Sequence, residues 1–491
     1  MNNADLSMHQ LFDEININTM TTLAGKASVM VFGLALAGAL TRGLGEAGFG
    51  DYSVIVAWLG VTAGLADFGL SKTGVREMAS AGPSFSIVAG NLFLLKLLYS
   101  LAALAIAFVF IPFMPYTQPL KNVLHVGLCA VVFMSLAAVY QGIFQIRLKT
   151  HFMALAESIG SASVLVLSWH FLGAGFGLLA IVTILVFGKA LVCLLNWVFS
   201  RPLTRLSFSI SWPTMRSMAV QALPLGVSGF MALVYFRLDI MMLSWLKPVS
   251  DVGIYGAAYR IIEVGSVIPS VFMGIIFPLL SKACAASKED LPRHYARAYM
   301  TLSLAAIPML VGGIILANPL MELITGPGFG KEASVFPVEA LYGFSPTAMT
   351  FLILLPSSAM MFIGELHGNM MIAGNEQQCL MRVYFWLVPL NLVLNLLFIP
   401  YFSYLGAACA TTFTEVFAFA YMAWAINRKF KLSPSYTGIF LACLASVPMG
   451  VVVFVLREHL FLSIGAGICV YAAVVSFIVR FEHADKGGAA R

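Results

Sequence analysis

Eleven ionisable side chains fall inside long apolar runs of this 491-residue chain: the cations Lys26, Lys96, Lys189, Arg237 and Arg260, and the anions Asp67, Glu157, Asp239, Glu263, Glu365 and Glu415. An ionisable group in a hydrocarbon layer costs about 2.5–3.5 kcal/mol on insertion scales, so each is first of all a functional candidate. The five cations suit an anionic ligand. Arg260 lies deep in its run, and a guanidinium grips phosphate with two parallel bonds. A local pair with Glu263, three residues on and on the same helix face, is the competing reading. Lys96 and Lys189 lie near mid-run, where a lysine has difficulty reaching water. Lys26, near the start of the first run, either meets an anionic ligand or snorkels to the interface. Arg237 and Asp239 are two apart and face differently, so they pair with other helices or sit near a rim. Glu415 lies mid-run with no cation nearby in sequence. It either binds and releases a coupling ion, H+ or Na+, together with Asp239 and Glu263 as further candidates, or stays protonated against a neighbouring helix. Asp67 reads as a site group or as a structural member of its Asp-Phe-Gly-Leu turn. Glu157 and Glu365, near run ends, read as solvated. Tyr140, Trp169, Tyr235, Tyr255, Tyr259 and Trp386 are candidates for stacking on a ring-shaped ligand, or belong to packing and the interfacial belt. No Walker A, HExxH or GxSxG pattern occurs, so nothing points to ATP hydrolysis, a metal centre or covalent catalysis, and the chain does not read as an enzyme.

The rest of the sequence must hold these groups in a bilayer. Of its residues 60% are hydrophobic and 10% charged, against roughly 25% charged in a soluble domain, which excludes an ordinary soluble or a disordered protein. A helix crossing a ~30 Å layer at ~1.5 Å per residue needs roughly 20 apolar residues. Fourteen apolar runs are counted, over 20–41, 51–71, 86–111, 121–144, 152–172, 175–199, 217–246, 251–280, 296–317, 337–364, 382–400, 404–427, 436–456 and 460–480. This predicts an all-α integral membrane protein of about 14 transmembrane helices with no room for a large soluble domain. With both ends in the cytoplasm, 18 Lys and Arg fall on the inner side and 5 (Arg42, Lys121, Lys247, Lys331 and Arg457) in outer loops, as the positive-inside rule requires. The net charge of +6 then reflects cytoplasmic loops and not a nucleic-acid partner. The seven cysteines form no CxxC pair and read as small buried hydrophobes. The first eighteen residues carry Asp5, Asp13 and Glu14 without a basic n-region, so the first span is expected to act as an uncleaved insertion signal.

An internal duplication is visible. Phe49-Gly50-Asp51-Tyr52 matches Val252-Gly253-Ile254-Tyr255, Gln141–Ile146 matches His367–Ile372, and Gly177 matches Gly406, in the same order and six spans apart. Two six-helix lobes in parallel topology, related by a pseudo-two-fold axis and flanking a central cleft, follow as the expectation. They cover 20–199 and 217–427, with a cytoplasmic N-terminus 1–19, a cytoplasmic linker 200–216, two further helices over 428–480 and a cytoplasmic tail 481–491. Pro83, Pro112, Pro115 and Pro119 fall in loops of the first lobe. Pro224, Pro269, Pro308, Pro346, Pro356 and Pro389 fall inside runs of the second, where each kinks a helix for packing or lets that lobe bend.

The run Arg42-x-Leu44-Gly45-x-x-x-Phe49-Gly50-x-Tyr52, followed by Asp67-Phe68-Gly69-Leu70 and Arg76, resembles the Wzx-type O-antigen flippase branch of the MATE-like flippase superfamily. Leu223-Pro224, Arg237-Leu238-Asp239, Val252-Gly253, Ala257-Ala258-Tyr259, Phe277-Pro278, Asn391, Asn395, Pro400, Gly406-Ala407-Ala408 and Thr411-Thr412 look like the same family's second half. The resemblance spans roughly 15–430 and its motifs are structural. It implies a MATE-like fold and a flippase that carries an undecaprenyl-pyrophosphate-linked oligosaccharide from the cytoplasmic to the outer leaflet by alternating access, coupled to an ion. It implies the bacterial inner membrane, a role in lipopolysaccharide and O-antigen assembly, and membrane lipids and other polysaccharide assembly proteins as partners. The physics agrees, because lipid cannot solvate a pyrophosphate and sugar head, and fixed cations can replace the lost water. The same fold could instead carry the peptidoglycan lipid precursor or drugs. A membrane-embedded polymerase or ligase would need a long outer loop with Arg and His, and the longest here, about 318–336, has neither.

Overall fold

The computed structural model describes residues 3–286, 290–330 and 343–488, with side chains described over 21–284, 290–330 and 343–477. Lys331, one of the outer-loop cations of the charge count, lies outside the described residues. The helices are α1 (Asn3–Asp67), α2 (Leu70–Ser80), α3 (Phe85–Phe110), α4 (Gln118–Leu128), α5 (Ala130–Ile146), α6 (Thr150–Gly173), α7 (Leu178–Ser200), α8 (Trp212–Leu246), α9 (Val249–Gly265), α10 (Val267–Ala286), α11 (Leu291–Ile315), α12 (Ala317–Thr325), α13 (Pro346–Ala373), α14 (Gln377–Phe430), α15 (Tyr436–Val455) and α16 (Leu460–Gly488). In hydrocarbon every backbone N–H and C=O must be satisfied internally, and a helix does this within one segment. The protein is therefore an all-α, multi-pass membrane protein.

Among the described residues twelve helical segments are long and apolar enough to cross a bilayer, against fourteen runs in the sequence. The difference lies in the two longest segments, of 60 and 54 residues. The first breaks at Gly45 (φ 68, ψ −172) and the second at Ser403 (φ 48, ψ −125). The run over 251–280 is also divided, at Ser266, between α9 and α10. Pro269 has no N–H to give the carbonyl of Gly265, and its ring crowds that carbonyl, so the first helix stops there. Pro346 is not the kink expected of it. It is the first residue of α13, behind a Ser345 side chain that caps Ala348 N, a position where proline's missing N–H costs nothing. Pro224, Pro308, Pro356 and Pro389 do lie inside helices.

The chain forms two compact units, residues 1–253 and 254–491. The first takes in α8, which the sequence count set at the head of the second lobe, and α8 packs along α1, α2 and α3. The core of the first unit includes Leu70, Met78, Leu92, Tyr140, Phe144 and Met218, and that of the second Leu280, Tyr295, Leu302, Phe362, Leu366 and Met370. Lipid is as apolar as these side chains, so their contribution is close packing and not removal from water.

Both ends of the first unit are tied. At one end the Asn91 amide donates to Ser209 O at 2.8 Å and accepts from Ser211 N at 2.8 Å, while Ser86 meets Thr204 at 3.3 Å. These bonds pin the linker after α7 to the start of α3. At the other end a Cβ on Gly50 would fall 2.0 Å from Val249 O, and one on Gly253 would fall 2.2 Å from Glu46 O. The two glycines matched in the sequence repeat thus let two backbones touch. All the loops meeting here are ones the charge count assigns outside, and the linker end is one it assigns inside.

Candidate functional site

Lys96 is the only candidate cation that the structure buries completely, at 0% exposure. Its Nζ donates to Asp67 Oδ1 at 2.6 Å and to Ser71 Oγ at 2.8 Å, and the Ser71 hydroxyl in turn donates to Asp67. Asp67 itself is 37% exposed. The triangle therefore presents a carboxylate outward and an ammonium behind it. It sits where α1 ends in the turn that Phe68 and Gly69 make at positive φ, 32 and 82. A Cβ on Gly69 would lie 2.6 Å from Ala222 O of α8, so the turn needs glycine both for its conformation and for its contact.

The other cations are not gathered round this triangle. Lys26 is exposed on α1 next to Gly25, which rests on Ala154 of α6. Lys189 is half-buried on α7. Arg237 lies over the bare backbone of Gly60, with its Nε 3.2 Å from where a Cβ would stand, and both it and the buried Asp239 have interaction partners. Arg260 pairs with Glu263 at 3.0 Å, as helix spacing allows, and both side chains stay partly exposed. Glu157, expected to be solvated, accepts from Gln141 at 3.1 Å across α5 and α6.

The second unit carries a buried polar seam. Glu415 on α14 is 8% exposed. Tyr384, from the earlier limb of the same segment, lies within electrostatic reach of both Glu415 and Glu365 of α13. The Asn395 amide donates to Asn391 Oδ1 at 2.9 Å, and the Asn391 amide donates to Thr414 Oγ1 at 3.3 Å. Tyr255 shares a 3.0 Å bond with Thr411 and stacks on Tyr259. Glu415 thus lies in a polar stretch of α14 that also carries Asn391, Asn395, Thr411 and Thr414, and a carboxyl placed there can hold a proton. Among the described residues no three or more His, Cys, Asp or Glu side chains cluster as metal ligands.

Of the aromatic candidates, Tyr140, Tyr235, Tyr255 and Tyr259 are buried, and Trp169 and Trp386 are exposed. A cluster not expected from the sequence lies at the end of the first unit that the charge count assigns outside. The Tyr116 hydroxyl accepts from Trp58 Nε1 at 3.1 Å and from Trp245 Nε1 at 2.9 Å, and shares a 3.0 Å bond with Ser244 Oγ. Its only sequence signal is a tyrosine between Pro115 and Thr117 in a short connection.

Residues 17–284, more than half of the chain, match the family described as polysaccharide biosynthesis protein. The chain belongs to that family. Two relatives of the chain agree with the assignment. A Haloferax volcanii protein named as a low-salt glycan biosynthesis flippase, Agl15, is 23% identical, and the match covers 88% of this chain and 89% of that one. A Shigella flexneri protein named as an O-antigen transporter is 22% identical, over 84% of this chain and 97% of that one. Two solved structures share the fold. The lipid II flippase MurJ, in an inward closed conformation, superposes with a TM-score of 0.76 at 16% identity, covering 94% of this chain and 99% of that one. An inward-facing multidrug MATE transporter of the MOP superfamily superposes at 0.65, with 16% identity and coverage of 84% and 99%. The chain therefore has a MATE-like fold, and the proteins it resembles are named flippases and transporters and not enzymes.

Proposed function

We propose that this protein flips an undecaprenyl-pyrophosphate-linked oligosaccharide from the inner to the outer leaflet of a bacterial cytoplasmic membrane by alternating access. The observation that carries the reading is a set of buried, mutually bonded charged and polar groups inside a helical membrane protein of a polysaccharide biosynthesis family. Groups of that kind are costly in lipid, and a glycan head needs them, because it brings hydroxyls and phosphates that hydrocarbon cannot solvate. Lys26 and Lys189 offer cations for the pyrophosphate and sugar head, and Arg260, Arg237 and Lys96 offer them through rearrangement of their present partners. The tail stays in the bilayer, so only the head needs a protein path. Glu415, with Asp239 and Glu263, is the proposed seat of ion coupling to H+ or Na+. Both termini lie in the cytoplasm in this reading, and other polysaccharide assembly proteins supply and receive the cargo.

The test is flipping of a lipid-linked oligosaccharide in vesicles reconstituted with the purified chain, assayed beside lipid II and a cationic drug. Selective movement of the oligosaccharide above protein-free vesicles is expected. Movement of lipid II alone, or of the drug alone, would reassign the cargo. Absence of any movement would reject the reading.

A further inference from the structure

The end of the first unit that the charge count assigns outside holds a pocket that none of the candidate site residues lines. Its volume is about 330 Å³, and its lining includes Tyr116, Thr117, Ser244, Trp245 and Lys247. That is at the bottom of the range ligand sites occupy, about 300–1,000 Å³, enough for one ring-sized group and not for a polyprenyl chain.

The tryptophan is what distinguishes this pocket from an ordinary surface dent. At a bilayer interface an indole usually turns its N–H toward headgroups and water. Trp245 does the reverse, since its N–H donates inward to the buried Tyr116 hydroxyl at 2.9 Å while the residue is 39% exposed. A phenolic hydroxyl offers one proton and two acceptor sites. With Trp58 and Trp245 on the acceptor sites, it donates to Ser244 Oγ, which donates on to Met241 O at 2.7 Å. The chain of bonds is complete, so the indole is fixed in place before any ligand arrives and binding need not immobilise it. A pre-oriented aromatic face beside Lys247 is a stacking platform with a basic residue at its edge.

We propose that this pocket is a landing subsite for one sugar ring of the cargo on the outer side, stacked on Trp245, with Lys247 selecting a ring that carries a carboxylate or phosphate. The proposal rests on the glycan-flippase reading above and names part of its cargo chemistry.

Thr117→Cys puts a thiol on the pocket lining. In right-side-out vesicles carrying the full chain, its alkylation by a membrane-impermeant maleimide is followed alone and with glucuronate, glucose 1-phosphate or N-acetylglucosamine, with the parent lacking the new thiol as background. The thiol is expected to react, and an acidic sugar at about ten times its dissociation constant should slow the reaction about tenfold, with N-acetylglucosamine weaker. Trp245→Ala in the same background should abolish the protection. Trp245→Phe, which keeps a ring without the N–H, should retain part of it and serves if the alanine variant does not fold. A thiol inert from outside, no slowing by any sugar, or full protection with Trp245→Ala would each overturn the proposal. Flipping measured on the same protein separates the two claims. Transport without protection rejects the pocket alone, and protection without transport keeps the pocket and rejects the flippase reading.

Discussion

An ammonium group with no exposure depends on its partners completely, and a partly exposed carboxylate does not. Lys96 is fully enclosed, and Asp67 is 37% exposed. Removing one member of a buried ion pair costs about 3–5 kcal/mol because the other is left uncompensated. Asp67→Asn strands the lysine, so it should approach that range. Lys96→Met strands a carboxylate that solvent or headgroups can reach, so it should cost clearly less, and Asp67→Asn with Lys96→Met should recover part of the loss. Thermal unfolding in detergent checks the order, and equal costs for the two single variants would refute the asymmetry. Arg260 stands differently, because its bond to Glu263 leaves both side chains partly exposed. If its guanidinium meets the cargo phosphate, Arg260→Ala loses a charge-assisted contact of about 1.5–3 kcal/mol, and flipping should fall at least about tenfold at equal protein level. Arg457→Ala, in a loop the charge count assigns outside and against Phe454, should transport as the parent does. Single residues were only half legible in the sequence. The Arg260 to Glu263 pair is visible because three residues fix a shared helix face. The partnership of Lys96 with Asp67 joins separate helices, and no spacing rule reaches across them.

At the scale of elements, apolar run length reveals most of the helices, because bilayer thickness fixes how long a run must be. It does not reveal where a run breaks. The Ser266 break has a proline to explain it, whereas the break at Cys129 between α4 and α5 has no comparable signal. The repeated glycines did carry information. Gly50 and Gly253 are where backbones meet, and small residues permit that approach. Gly253→Ala sets a methyl group 2.2 Å from Glu46 O, against backbone that cannot turn aside as a side chain would. Overpacking of this kind costs about 1–3 kcal/mol, to be read as a lowered unfolding temperature. An unchanged temperature would mean the contact is loose. The linker gives a second case. Asn91 holds Ser209 and Ser211 through both ends of its amide, and Asn91→Ala leaves those backbone groups unpaired at a cost of about 1–3 kcal/mol. Trypsin added from the linker side should then cut at Arg201 or Arg205 several-fold faster. Cutting at the parent rate would show that other contacts hold the linker.

Each unit turns many apolar side chains outward and keeps Lys96 or Glu415 buried among polar groups, so the proposed transport cycle must move buried charges without stranding them. Glu415 is suited to such movement. It is nearly buried and lies within electrostatic reach of Tyr384, as Glu365 also does. A carboxyl that takes up a proton on one side and releases it on the other changes the charge of this seam by one unit, and each state then favours a different arrangement of the helices around it. Glu415→Gln keeps the size and hydrogen-bonding capacity of the side chain and removes its ability to titrate. In vesicles with an imposed pH difference, the parent should flip its cargo several-fold faster than without the difference. The variant should flip at one rate under both conditions, still above protein-free vesicles, because the path for the head group is intact while the drive is disconnected. A variant that responds to the gradient as the parent does would remove Glu415 from the coupling role. A parent that ignores pH but responds to sodium would leave the same carboxylate as the candidate and change only the ion, because a cation neutralises the seam as a proton does.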